Sequence, residues 1–241
     1  ALLRLEQVRA KVTEAYEEYE FHTLYHTVHN FCTVDLSSIY LDILKDRLYA
    51  EGKTSVQRRA AQTAMYEIMV SLLTMLAPVL SFTAEEVWRY VPKTEDMPES
   101  IQMTTWPTAK PEYIDNALAE KWDAILALRS EITKGLEAAR RAKTIGHSLD
   151  AAITIYAKGD AYKVLESCGA DLAGILIVSK VSVEEGDTTD EAAFVSAEAD
   201  LKMVVAAATG EKCERCWIYS DSVGESADHP TLCSRCASVV K

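Results

Sequence analysis

The chain has 241 residues, 49% hydrophobic and 26% charged, with six cysteines and a formal net charge of −12. That composition suits one large or a few small folded cores, while the acidity excludes a generic nucleic-acid binder, because phosphate contact needs Lys and Arg. No apolar run reaches the length of a membrane span, ALLRLEQVRAK lacks the apolar region and cleavage site of a signal peptide, and six cysteines are too few for a disulfide scaffold.

Leu5, Val8, Val12, Tyr16 and Tyr19 recur at three- and four-residue steps, which predicts an amphipathic helix from the first residues. It begins without leader or cap, so the chain is expected to be a piece of a longer one. Phe21, Leu24, Tyr25, Val28 and Phe31, then Leu36, Ile39, Tyr40, Ile43, Leu44 and Leu48, predict one long helix or two short ones, with a break near Asp35-Leu36-Ser37 and an end at Glu51-Gly52. A third helix runs from Ser55 through Ala61, Ile68, Leu72 and Leu76 to a stop at Pro78. Thr83 and Glu86 read as a capping box for a short helix through Trp88, and residues 91–114, with four prolines, as a connecting loop.

Asp115 reads as the cap of a long helix whose stripe is Leu118, Trp122, Ile125, Ile132, Leu136 and Ala139, ending near Ala142 and closing an all-α bundle. Arg129 falls on that stripe and is expected to snorkel or to pair with an acid such as Glu67 or Glu86. After Gly146 three β-rich runs follow, 152–156, 174–178 and 201–205, with a helical stretch at 160–170 and an acidic loop at 184–191. The expected organisation is mainly α: a helical domain over 1–145, a small α+β module over 146–210 and a zinc-finger module over 211–241. Cys32 reads as a small buried thiol.

Cys213, Cys216, Cys233 and Cys236 form Cys-x2-Cys-x16-Cys-x2-Cys. Each pair can reach one ion from one tight turn, and the spacer is long enough for a hairpin that brings the pairs together. Four thiolates leave no open position, so one structural zinc is expected, with a tetrahedral iron site as the alternative, and a catalytic role is not. His229 is not needed as a ligand. Lys212, Arg215 and Arg235 flank the thiols and would either neutralise the cluster or reach phosphates. Trp217 is expected to be a lid over a very small core, with a base-stacking platform as the alternative. Arg140, Arg141 and Lys143 end the long helix, where they would either complement its dipole or meet RNA.

Four stretches carry a family resemblance. FHTLYHTVHNFCTVDLSSIYLDILKDRLY (21–49) and LLTMLAPVLSFTAEEVWRYVP (72–92) resemble the anticodon-binding helical domain of bacterial isoleucyl-tRNA synthetases. LALRSEITKGLEAARRAKTIGHSLDAAI (126–153) is similar to the helix and strand that follow it in that family, and GEKCERCW (210–217) to its C-terminal zinc finger, which the formamidopyrimidine-DNA glycosylase group shares. The HIGH-like and KMSKS-like signatures do not occur; Thr144-Ile145-Gly146-His147 is a chance echo.

The resemblance implies a tRNA-reading part of a class I ligase whose catalytic and editing domains lie elsewhere in the same polypeptide. It further implies tRNA-Ile as partner, ATP only in the catalytic domain, a monomeric parent, a cytoplasmic location and no membrane. The RNA-binding candidates are then Arg140, Arg141, Lys143, Lys212, Arg215, Trp217 and Arg235. Two other readings are a DNA-repair enzyme using a zinc finger, against which stand Ala1 in place of an N-terminal Pro nucleophile and the helical match, and a protein-interaction module.

Overall fold

The computed structural model describes residues 1–240, which fall into two compact units. The first comprises Ala1–Leu44 and Lys53–Asp115, the second Lys45–Gly52 and Asn116 onward.

The first unit is helical. Helix α1 (Leu2–Glu17) buries Leu5, Val8, Val12 and Ala15 on one face, as the periodicity predicts, but Tyr19 lies beyond its end and is 79% exposed. Tyr19 adopts a left-handed φ of 59°, and Glu20 N–H donates to the Ala15 carbonyl at 2.8 Å, which closes a Schellman turn without glycine. Helix α2 (Phe21–Asn30) runs directly into π-helical turns at Phe31–Tyr40 and then helix α3 (Leu41–Tyr49). The expected break near Asp35 is thus a widened stretch inside one continuous helical run.

Helix α4 (Val56–Leu76) starts at Ser55, whose hydroxyl accepts from Arg58 N–H at 3.2 Å, and ends before Pro78. Helix α5 (Ser81–Trp88) has Leu80 at its N-cap and no side-chain cap, so the expected capping box is corrected: Thr83 is already inside the helix. Glu85, the neighbour of the residue singled out, instead accepts from Ser100 Oγ at 2.8 Å and Ile101 N–H at 3.1 Å, and so pins the 91–114 connection.

Leu5, Val12, Phe31 and Met75 centre one apolar core, against which Trp106 packs from the connection; Trp88 and Ile101 centre a second. Glu6, buried among these helices, is matched by Arg9 at 2.9 Å and by Lys110 N–H at 3.0 Å. No buried side-chain nitrogen or oxygen among the described residues lacks a partner.

The second unit is a two-layer α/β arrangement. Strands β1 (Ala151–Ala157), β2 (Lys180–Glu185), β3 (Phe194–Val195) and β4 (Leu201–Ala207) form one sheet in the order β2-β1-β4-β3. β1 pairs with β2 in parallel and with β4 antiparallel, Ile155 facing Met203. The parallel step is made by helices α7 (Gly159–Glu166) and α8 (Leu172–Leu176), as a βαβ unit requires. Alternate residues Ala151, Ile153, Ile155 and Ala157 point into the core, where Leu128, Ile132 and Leu136 of helix α6 (Asn116–Arg141) meet them.

Helix α6 therefore groups with the sheet, and the compact units divide at 115/116, where a division at 145/146 was expected. An apolar stripe announces that a face is buried without saying against what. Gly135 marks the close approach: a Cβ there would sit 2.9 Å from a Phe194 ring carbon and closer still to the flexible end of Met203. Arg129 pairs with neither expected acid. Its Nε donates to the Ile175 carbonyl at 2.9 Å at the end of α8, and Glu67 is taken by Lys110. Glu131, buried on α6, accepts from Lys134 Nζ at 2.5 Å and Ser196 Oγ at 2.7 Å, which together hold its carboxyl below the usual range.

The run 174–178 is the other correction. Residues 174–176 close α8 and Ile177 turns out of it at φ 57°, with Val178 N–H on the Ala173 carbonyl at 3.1 Å; the strand starts only at Lys180. The first two acids of the expected acidic loop, Glu184 and Glu185, belong to that strand.

Candidate metal centre and nucleic-acid interface

After β4 the chain forms a small hairpin, β5 (Glu211–Lys212) with β6 (Tyr219–Ser220), in which Lys212 faces Tyr219. The hairpin wraps the first cysteine pair alone, a correction to the expectation that it spans the spacer. Cys213 N–H bonds the Ile218 carbonyl at 3.0 Å and Trp217 N–H the Cys213 carbonyl at 2.8 Å, which folds 213–217 into a knuckle. Cys233 sits at the N-cap of helix α9 (Ser234–Val239), whose first turn carries Cys236.

All four Sγ atoms lie within 4.8 Å of one another. A tetrahedron of thiolates at the Zn–S distance of about 2.3 Å has edges of about 3.8 Å. Cys216 Sγ and Cys233 Sγ are 3.8 Å apart, so the donor set fits one tetrahedral ion. Burial opposes the thiolate at Cys213, but backbone N–H groups of Cys216, Cys233 and Arg215 outweigh it and bring that thiol down to about 6. At Cys216 and Cys236 burial pushes the thiol up, a desolvation that a bound cation would offset.

The tail of α3 and the turn after it complete this centre. Ala50, 2% exposed, packs among the cysteines, and its carbonyl accepts from Arg215, whose Nη1 also reaches Cys236 Sγ at 3.7 Å. Arg235 forks onto Asp46, with its two η nitrogens at 2.6 and 2.7 Å from the two carboxylate oxygens, and lies 3.6 Å from Glu51. Two of the expected RNA-contacting cations are thus engaged by the protein itself. Sequence reasoning missed Asp46, Ala50 and Glu51, which sit more than 160 residues upstream and carry no motif.

Lys212 and Trp217 face the other way. Trp217 is 62% exposed at φ 65°, an unusual conformation for a bulky residue, so the reading of it as a lid is corrected. Lys212 Nζ stands 5.8 Å from the Trp217 ring centre, 5.7 Å from that of Tyr219 and 3.6 Å from Asp150. Tyr219 N–H donates to Ser179 Oγ at 2.9 Å and Lys180 pairs with Asp221 at 2.9 Å, so the hairpin is docked on the sheet's edge. Arg140 pairs with Glu137 at 3.0 Å on the exposed face of α6, while Arg141 and Lys143 make no ion pair among the described residues. Lys143 closes α6 at φ 62°, with Thr144 N–H on the Ala139 carbonyl at 3.0 Å.

Residues 1–155 match the family of anticodon-binding domains of tRNA ligases, and residues 210–239 the zinc finger found in FPG and IleRS. The chain belongs to the first family and carries the second at its C-terminal end. Among curated proteins it is 49% identical over 245 residues to the isoleucine–tRNA ligase of Moorella thermoacetica, and 49% over 243 to that of Geobacter sulfurreducens. The isoleucine–tRNA ligase of Bacillus mycoides is 47% identical over 241 residues. Each match covers all of this chain and 26% of the relative, so the chain spans about a quarter of their length. The zinc-finger match and the fit of the thiols agree on one structural zinc. No helix among the described residues is long and apolar enough to cross a membrane.

Proposed function

We propose that this chain is the part of a cytoplasmic isoleucine–tRNA ligase that holds the anticodon side of tRNA-Ile, with zinc bound by Cys213, Cys216, Cys233 and Cys236. ATP use and attachment of isoleucine then belong to the remaining length of a monomeric ligase. The observation that carries the reading is Trp217, held open to solvent in a left-handed conformation beside Lys212 on the metal knuckle. An exposed indole next to a cation is what stacking on an unpaired loop base needs, and anticodon bases are unpaired. Arg140, Arg141 and Lys143 supply phosphate contacts on the same unit, while Arg215 and Arg235 serve the RNA indirectly, by fixing the knuckle. Net acidity elsewhere disfavours other RNAs.

Fluorescence anisotropy of the zinc-loaded chain with tRNA-Ile, a second tRNA and abasic DNA tests this. Tighter binding of tRNA-Ile is expected, with log K falling against log salt at a slope of about −2 to −4. Trp217→Ala should weaken it by at least about fivefold, in line with about 1–3 kcal/mol for one base stacked on an aromatic ring. Preference for abasic DNA would move the assignment to the glycosylase side of the zinc-finger family, and equal affinity for both tRNAs would remove the specificity.

A further inference from the structure

We infer that Arg215 and Arg235 are positioning residues of the metal centre, held against its sulfurs by the tail of α3, so that zinc retention depends on Asp46 and Ala50 as well as on the four cysteines. The inference stands on the structural zinc and is independent of the tRNA reading above.

The two arginines occupy the same place in the two cysteine pairs: Arg215 directly precedes Cys216, and Arg235 directly precedes Cys236. Each reaches across to the other pair. Arg215 Nη1 lies 3.7 Å from Cys236 Sγ, and Arg235 faces the Cys216 thiol. Four thiolates around one divalent cation leave a charge of −2, in a centre where Cys213 and Cys236 are fully buried and Cys233 nearly so. A buried charge is costly unless it is paired and hydrogen-bonded. Two guanidiniums match that charge, and each favours the thiolate at a position where burial, the larger effect, opposes it.

What aims them lies outside the zinc finger's residues 210–239. Lys45–Gly52 belongs to the same compact unit as the cysteines. There the Ala50 carbonyl, just past the end of α3, accepts from Arg215, and Asp46 takes the fork of Arg235 at 2.6 and 2.7 Å. Ala50 N–H donates to the Asp46 carbonyl at 2.8 Å, so both acceptors sit on one turn of backbone. A guanidinium carries five N–H donors in a planar fork and can serve an oxygen and a sulfur at once, whereas an ammonium is a point charge. The cysteine motif carries the cations, and α3 sets where they point.

The test is zinc affinity of the full chain, measured by competition with a chromophoric chelator, beside the charge-transfer bands of the cobalt-loaded protein. Arg215→Gln and Arg235→Gln should each weaken zinc by about 10–100-fold, the range for losing an outer partner of a metal ligand. Their thiolate-to-cobalt bands should move to lower energy, because a sulfur that loses an N–H donor gives up an electron more readily. Arg235→Lys, which keeps the charge without the fork, should fall between. Asp46→Asn separates aim from charge. By charge alone, removing a carboxylate beside an anionic centre tightens zinc; if Asp46 aims Arg235, zinc weakens and the bands shift as in Arg235→Gln. No further loss is then expected when Asp46→Asn is added to Arg235→Gln. Tighter or unchanged zinc in Asp46→Asn, or an equal loss in the Arg235→Gln background, would overturn the role of α3. Unshifted cobalt bands in both glutamine variants would overturn the contacts with the sulfurs.

Discussion

The sheet and the metal knuckle of the second unit are neighbours in one compact body, yet they are ordered by different forces. Beneath the sheet fourteen buried apolar side chains from α6, α7, α8, β1 and β4 and the adjoining turns form one cluster. The knuckle's buried cluster consists of Ala50 and three cysteines, with Val223 and Leu232 partly covered beside them. The sheet can fold on burial of apolar area; the knuckle needs its thiols tied together. The comparison teaches why the exposed indole sits where it does. A crosslink that holds the backbone frees side chains from packing, so a residue as large as Trp217 can face water.

Metal removal gives the largest contrast. Apparent binding energies for structural zinc are on the order of 10–16 kcal/mol, far more than the knuckle's apolar contacts supply. Chelation, or Cys233→Ser, should therefore release zinc and bring residues 211–240 to fast amide exchange, while β1, β2 and β4 keep their protection. Hydrogen exchange with mass spectrometry and a zinc assay read both halves. Loss of protection throughout the sheet would mean that the docking contacts Tyr219–Ser179 and Lys180–Asp221 make one cooperative unit of the two.

The converse substitution is Ile132→Ala, at a fully buried position under the sheet. Truncating a buried Ile typically costs about 2–5 kcal/mol through lost transfer energy and the cavity left behind. Denaturant melts followed by far-UV circular dichroism should show that loss, with zinc content unchanged below the transition. Zinc leaving before the sheet melts would break the comparison from the other side.

How far these features were legible in the sequence follows from the same division. The four thiols read directly, because metal ligands act in a local spacing. Helices α1 to α6 read from their apolar periodicity, within a residue or two at most ends. What periodicity could not supply was the partner of a stripe, so α6 was placed with the helices when Ile125, Leu128, Ile132 and Leu136 are buried in the second unit, three of them in the core under the sheet. Two helix ends failed for one chemical reason. Tyr19 and Ile177 hold the left-handed position of Schellman turns where glycine is the usual signal, as Lys143 does at the end of α6, which was read within a residue. Without that signal the first helix was extended to Tyr19, and the run ending in Ile177 and Val178 read as a strand. Asp46 and Ala50 were invisible for a different reason: their partners Arg235 and Arg215 are far away in sequence.

The smallest expected effect is the one that separates structure from recognition most cleanly. Lys143 accepts a left-handed backbone that costs an L residue with a Cβ about 1–2 kcal/mol, at a site where glycine would relieve the strain. It makes no ion pair among the described residues, so no side-chain ion pair offsets that cost. Lys143→Gly should raise stability by up to about 1 kcal/mol, less whatever the added freedom of glycine in the unfolded chain takes back. If the side chain meets phosphate, the same variant should lower the salt slope of tRNA-Ile binding by about one. Lys143→Ala keeps the Cβ and the strain but removes the charge, so it should weaken RNA binding equally while leaving the melting temperature where it was. Opposite movement of stability and affinity in the glycine variant, beside movement of affinity alone in the alanine variant, assigns the strained lysine to recognition. A fall in stability with Lys143→Gly would assign it to the end of α6 instead.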